Sequence, residues 1–298
     1  MGYINIYVSK DAHIYVKNEQ LFLENNDIKA DYPLEDMNSI MIENLETTIS
    51  TYTLSKFAEY GILCFICNQN HLPSGVVLPF CEHYQTLSNF KNQIEASKPL
   101  QKQLWKTIIE NKIGNQNEVL NICGGADSLK QLKETVLSGD SSNNEAKASL
   151  LYFKELFGKE FIRRDDGIAV NGFLNYGYSI IRGFVARSIV VHGLQPFLGI
   201  NHSNQFNQFN LADDLIEVFR PLVDLYVKIY LSEEKELNTK IKGQLFNIIN
   251  INVMVEGQIQ PLSYAIELFV QSFQKSLKEN KNCLKEINII GLEIHQYE

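Results

Sequence analysis

The residues best suited to chemistry lie close together in the second half of the chain. Gly199, Ile200, Asn201, His202 and Ser203 read as an irregular loop presenting one histidine. A run of Asn, Gln and Phe follows. Then Leu211, Leu215, Val218, Leu222 and Leu225 fall at helical spacing. Asp214, Glu217, Arg220 or Pro221, and Asp224 recur at steps of three or four on another face of the same helix. A histidine loop feeding a carboxylate helix has the residue types of half a metal site. Carboxylate oxygens suit magnesium, and manganese also accepts imidazole. Such an ion neutralises charge on a phosphodiester and lowers the pKa of a bound hydroxyl. Glu145, at the start of a helix after the polar loop 138–144, is a third candidate.

Each of these residues also has an ordinary structural reading. Glu145 suits a helix N-terminus because the helix dipole favours a carboxylate there. His202 fits a loop histidine bonded to backbone. Asp214 and Glu217 fit a solvated face, with Glu217 and Arg220 as an intrahelical pair worth roughly 0.2–0.5 kcal/mol. Spacing alone does not bring Glu145, His202 and Glu217 together. No GxxxxGK phosphate loop and no GxSxG elbow occurs, which argues against nucleotide hydrolysis and serine hydrolysis.

The elements that must position these residues divide the chain. Residues 1–80 read as a β domain: Tyr3 to Val8, His13 to Val16, Leu21 to Leu23, Ile28 to Leu34 and Ser39 to Ile42 are short strands with frequent turns. A helix from Ser50 to Tyr60 ends at Gly61, and Ile62 to Cys67 and Val76 to Leu78 complete the sheet. Residues 81–98 read as a linker, and residues 99–298 as a helical domain. Within it, Leu100, Leu104, Ile108 and Ile109 make one stripe that carries Trp105 on its edge. Lys112 to Gln116 interrupts or caps this helix in the sequence pattern. Further helices are expected at 126–137, from Glu145 to near Gly158, at 173–191, 238–255 and 261–278, with a kink at Pro221. Phe206 and Phe209 are expected to pack. The fold class is therefore α+β: an N-terminal β-sheet or sandwich domain followed by a larger all-α domain.

Composition narrows the function classes. The chain has 298 residues, 45% hydrophobic and 21% charged, in the range of globular domains. No run of about 18 apolar residues argues for a membrane span, and the N-terminus lacks a secretory pattern, so the cytoplasm is the expected location. Cys64, Cys67, Cys81, Cys123 and Cys283 are scattered, and the single CxxC lies in an apolar strand. They are expected to be small core residues in a reducing compartment rather than a zinc site. His71 and His83 have no paired acids at ligand spacing. The net charge of −8 argues mildly against nucleic acid, but the arginines (163, 164, 182, 187 and 220) all bracket the histidine loop. A guanidinium fork suits phosphate; the alternative is ordinary ion pairs.

Four segments in order resemble the CRISPR-associated adaptation endonuclease, the catalytic subunit of the integrase that inserts new spacers. Trp105 through Lys112, Ile113, Gly114, Asn115 and Gln116 is similar to its helix with a KI-x-NQ segment. Glu145 to Ala148 with Tyr152 resembles E-x-x-A-x-x-x-Y. Leu174 to Arg182 resembles its NYGYSILR helix. Gly193 and Leu194 through His202, then Leu211 to Asp224, resembles GLDP-x-x-G-x-x-H and DL-x-E-x-FRP-x-x-D. The resemblance covers nearly the whole chain. Gln195 stands where the pattern often has Asp. Glu217 stands where many relatives carry Asp; Glu at this position is similar to members from systems with a single large RNA-guided effector nuclease.

The resemblance implies a β domain that dimerises and a helical catalytic domain. It implies Mg2+ or Mn2+ held by Glu145, His202 and Glu217, which would also be the catalytic residues. Asp214, Arg220, Tyr178 and Arg182 would support the site or contact DNA. The implied reaction is attack of a DNA 3′-hydroxyl on a phosphodiester of a CRISPR repeat. The implied partners are double-stranded DNA, a second copy of the chain, and a small CRISPR-associated subunit completing a heterohexamer. Two alternatives are a stand-alone metal-dependent nuclease on branched DNA and a catalytically silent DNA-binding scaffold.

Overall fold

Short β-branched segments separated by polar turns build the first part of the chain. The computed structural model describes residues 2–79, 84–165 and 167–296. The chain forms two units, one up to residue 82 and one over residues 83–296. The first carries β1 (Ile4–Val8), β2 (His13–Lys17), β3 (Gln20–Glu24), β4 (Lys29–Pro33), β5 (Met37–Ile42), β6 (Thr48–Ile49), α1 (Thr51–Glu59), β7 (Leu63–Cys67) and β8 (Pro73–Val77). They make two four-stranded sheets, in the orders β1-β5-β7-β8 and β4-β3-β2-β6. The β2–β3 hairpin closes through Asn18 and Glu19, both at positive φ (52° and 57°). That conformation matches the twist of the paired strands. Ile14, Leu21, Ile40, Phe57 and Cys64 share one core. Ser50 caps α1 by accepting from Thr53 N–H at 3.1 Å.

The second unit carries α2 (Thr86–Glu95), α3 (Lys98–Ile122), α4 (Lys130–Glu134), α5 (Asn144–Phe157), α6 (Ala169–Val191), α7 (Asn210–Leu215), α8 (Arg220–Tyr226), α9 (Thr239–Phe246), β9 (Ile251–Val255), β10 (Gln258–Pro261), α10 (Leu262–Glu279) and β11 (Ile287–Ile294). Among the described residues no helix is long and apolar enough to cross a membrane. The axis of the site is α3. It runs unbroken past Gly114, against the sequence expectation of an interruption, because Ile113, Asn115 and Gln116 are all buried there. Asn115 Nδ2 donates to the carbonyls of Val218 (3.0 Å) and Ile287 (2.9 Å). Its polar side chain is thus a tie between elements rather than a helix stop. Gly177 on α6 lets α8 approach: a Cβ there would lie 2.5 Å from Val223 Cγ1.

Several expectations need correction. The segment read as a linker contains α2, whose Asn89 and Gln93 side chains donate to the carbonyls of His192 (3.0 Å) and Gln195 (3.1 Å). The helix expected over 238–255 ends at Phe246, and Ile251–Val255 is a strand. That run alternates buried and half-buried residues, a period of two, and turns through Glu256 and Gly257 at positive φ into β10. A three-stranded antiparallel sheet, β10-β9-β11, therefore sits among the helices of the second unit. Pro221 does more than kink its helix. The chain passes from α7 through a 3-10 turn, Ile216–Val218, into α8, where Pro221 occupies the first turn and its missing N–H costs nothing. Phe206 is 85% exposed, so that ring does not pack. Cys64 and Cys67 are buried, but Cys123 is exposed and Cys283 half-buried. Cys81 and His83 lie outside the described residues.

Candidate active site

Glu145 sits in the first turn of α5. The side chain of Asp140 accepts the backbone N–H of Asn144 (2.8 Å) and of Glu145 (3.0 Å), capping the helix from the preceding loop. That frees the Glu145 carboxylate to reach sideways. It accepts from Lys112 Nζ of α3 at 2.7 Å. The same ammonium lies 2.6 Å from Glu217 Oε2, on the 3-10 turn between α7 and α8. Arg220 Nε lies 2.8 Å from the other Glu217 oxygen. Both contacts are close ion pairs to the buried Glu217 carboxylate. Burial alone would push the Glu217 carboxyl up; the charges of Lys112 and Arg220 override it and hold the group below its ordinary value. Burial likewise opposes the charge on Lys112, and the two glutamates hold it above the ordinary lysine value.

The histidine loop is organised by Asp214, which is fully buried on α7. Its Oδ2 accepts the backbone N–H groups of Ile200 (2.6 Å) and Asn201 (3.1 Å). Its Oδ1 accepts the backbone N–H of His202 (3.0 Å) and pairs with His202 Nδ1 at 2.7 Å. An ionised carboxylate only accepts, so Nδ1 carries the proton and Nε2 is left for a ligand or a proton. The Asp214 bond raises the His202 pKa above its ordinary value, against partial burial. Gly199 lets the loop close down: a Cβ there would lie 2.3 Å from the His202 carbonyl oxygen and 2.8 Å from Asp214 Oδ2. Trp105 meets the His202 ring edge-on, with centroids 6.0 Å apart.

Beside the carboxylates lies a cavity of about 220 Å³ lined by Lys112, Gln116, Arg163, Tyr178, Arg220 and Asp224, among others. Asp224 accepts hydrogen bonds from Tyr178 and, at 3.0 Å, from Tyr152. Burial pushes its carboxyl up to about 6, despite the two phenols. Burial and the adjacent carboxylate push both tyrosines well above 10.0. The Arg220 guanidinium stacks over the Tyr178 ring at 4.5 Å, and that of Arg163 lies 5.3 Å from the same ring.

The sequence model of the family described as "CRISPR associated protein Cas1" matches residues 6–242. The "CRISPR-associated endonuclease Cas1" of Neisseria meningitidis serogroup C is 39% identical over the whole of both chains. The chain belongs to the Cas1 family. Solved structures repeat the Cas1 fold at lower identity. A casposase bound to integration product superposes with a TM-score of 0.75 at 20% identity, over 100% of this chain and 96% of that one. A Cas6-RT-Cas1–Cas2 complex gives a TM-score of 0.70 at 18% identity, over 94% of this chain and 35% of that one.

In this Cas1-family chain the expected residues fall into distinct settings. Glu145 and Glu217 meet on one cation, Lys112. His202 is turned onto Asp214 through Nδ1, though it feels the charge of Glu217. Among the described residues no three His, Cys, Asp or Glu side chains close on a single point. Tyr178 is a buried support beneath Arg220. Arg182 is held by Asp213 (Nε to Oδ1, 2.6 Å) and Asn207 (3.0 Å), and Arg187 by Glu267 (3.0 Å). For these two arginines the ordinary ion-pair reading holds. Gln195 pairs with Gln93 through its backbone, so the departure from Asp leaves that contact intact. Lys112, Gln116 and Arg163 are site neighbours that periodicity did not single out. The signal was present in the spacing of Lys112 and Gln116, one turn apart on a helix face too polar for an ordinary core.

Proposed function

We propose that the chain is the catalytic subunit of a CRISPR spacer integrase. It joins the 3′-hydroxyl of a short DNA fragment to a phosphodiester at the edge of a CRISPR repeat. The observation that carries this reading is the meeting of Glu145 and Glu217, from separate elements, on one positive charge. Membership of a family whose relatives are named endonucleases supports nucleic-acid chemistry, and the fold shared with a casposase on its integration product supports strand joining.

The donors fit Mg2+ or Mn2+. Two carboxylates already meet on one cation, the Lys112 ammonium lying 2.7 Å from Glu145 and 2.6 Å from Glu217, an all-oxygen pair of the kind these ions prefer. Glu145, Glu217 and His202 through Nε2 would hold the ion. When bound, it supplies charge neutralisation on the non-bridging and leaving oxygens. Asp214 fixes the histidine tautomer. Arg220 balances Glu217, and with Arg163 it presents guanidinium charge to the cavity, suited to a phosphate. Tyr152 and Tyr178 are buried donors to Asp224, which disfavours a tyrosine nucleophile and a covalent protein–DNA intermediate. In the net exchange, the new P–O bond to the attacking 3′-oxygen replaces the P–O bond to the leaving oxygen. The attacking hydroxyl gives up its proton and the leaving oxygen takes one up, so the exchange balances.

Double-stranded DNA, a second copy of the chain and a small adaptation subunit complete the assembly in this reading. The shared fold with part of a Cas1–Cas2 complex supports the last. The test mixes chain, small subunit, divalent metal, labelled short DNA and a supercoiled repeat plasmid. Joined product is expected, and His202→Ala should abolish it while leaving the circular dichroism spectrum unchanged, with the melting temperature lowered only by the loss of its one side-chain bond to Asp214. Cleavage without joining would favour a stand-alone nuclease. A mobility shift without chemistry would favour a scaffold. Full joining by His202→Ala would remove that residue from the site.

A further inference from the structure

We propose that Lys112 is a resident counter-cation that exchanges with the divalent ion. It bridges Glu145 and Glu217 when no metal is bound and retreats to Gln116 when metal takes the carboxylates. The inference rests on the metal reading above. Lys112 is only 7% exposed and Glu217 only 5%. Two carboxylates drawn to one point repel each other, Glu217 buried and Glu145 half-buried, and the ammonium at 2.7 and 2.6 Å cancels that repulsion. It therefore keeps both glutamates aimed at one point. A divalent ion on the same oxygens would face the ammonium as a like charge, so the two cannot stay together.

Gln116 gives the ammonium somewhere to go. It lies four residues further along the unbroken α3, so it shares a face with Lys112. Both line the same cavity. Gln116 is 2% exposed, and its Oε1 accepts no hydrogen bond. A buried acceptor left unmade is costly, and a lysine ammonium brings three donors. Only the side chain need rotate. Arg163 and Arg220 line that cavity too, and their charge disfavours the Gln116 position. They hold Lys112 on the carboxylates until a stronger cation arrives. Metal affinity is thereby set below that of a bare glutamate pair, and the glutamates stay aligned in both states.

Calorimetric titration of the full chain with Mn2+, alongside melting curves with and without Mn2+, tests this independently of activity. Lys112→Met should bind Mn2+ about tenfold tighter, since no competitor remains. Without metal it should melt lower than the unaltered chain, and it should gain more on adding Mn2+. Gln116→Leu should move the other way: its metal-free melting temperature should hold or rise, and its Mn2+ affinity should fall several-fold. Mn2+ binding by the unaltered chain with no tightening in Lys112→Met would overturn the exchange alone. Should Lys112→Met not fold, an unchanged affinity in Gln116→Leu would overturn it instead. No Mn2+ binding by the unaltered chain, matching a Glu145→Gln control, would overturn the metal reading and the exchange with it.

Discussion

Asp214→Asn puts the organisation of the histidine loop to a quantitative test. Asp214 accepts four hydrogen bonds, two on each oxygen, three of them from consecutive backbone N–H groups. Asparagine keeps one carbonyl oxygen and sets an NH2 group against the donors on the other side. Hydrogen bonds to a charged acceptor are worth about 1.5–3 kcal/mol each. Two are lost, and the half-exposed loop recovers part of that from water, leaving a destabilisation of about 3 kcal/mol. For a unit of this size, that lowers the melting temperature by about 6–12 °C. Hydrogen exchange read by mass spectrometry should show the amides of residues 200–202 losing protection, while α5 and its Glu145 contact stay protected. Strand joining should fall with the loop. Gly199→Ala is the companion perturbation: its Cβ would sit 2.3 Å from the His202 carbonyl oxygen, so it should loosen the same loop with every charge retained. If Asp214→Asn matched the unaltered chain in both melting and loop exchange, the reasoning would fail.

Two further outcomes concern the packing beneath the site. The Asp224 carboxyl is raised from 3.8 to about 6 in the folded chain, so its protonated form adds stability that is full below pH 3.8 and lost as pH rises through about 6. The difference in unfolding free energy between the chain and Asp224→Asn should therefore shift by on the order of 3 kcal/mol across that window. Urea titrations at several pH values would reveal it, and parallel profiles would contradict the burial argument. Gly177→Ala should cost about 1–3 kcal/mol by forcing α6 from α8. An unchanged melting temperature there would show that Val223 can give way.

Much of the scaffold was legible because it follows local periodicity. The Lys17 to Gln20 turn, Ser50 before α1, and the long apolar run that became α6 each carry their own signal. Misreadings arose where local pattern and tertiary setting disagree. Ile251–Val255 has apolar residues compatible with either period, and pairing with β10 and β11 decides for strand. Gly114 and its polar neighbours look like a helix stop, yet Asn115 spends its polarity on the carbonyls of Val218 and Ile287. At the site, Asp214 and Glu217 were legible as a pair three apart on one helix. The 3-10 turn ends that helix between them, and the two carboxylates take different partners: the histidine loop for one, Lys112 for the other. The meeting of Glu145 with Glu217 has no local signature at all. Only resemblance named it, because chain distance says nothing about which helices lie side by side.

The way Asp214 holds its loop bears on how this region could change. The carboxylate grips backbone amides of Ile200, Asn201 and His202, and every residue type except proline supplies that amide. Apart from the histidine ring, the clamp is indifferent to the side chains it holds. Ile200 and Asn201 can therefore be exchanged for residues other than proline while the histidine keeps its place. Gly199 alone is denied that latitude, by the crowding around it. New contacts could thus be tried on the rim of the site, by drift or by design, without rebuilding its centre.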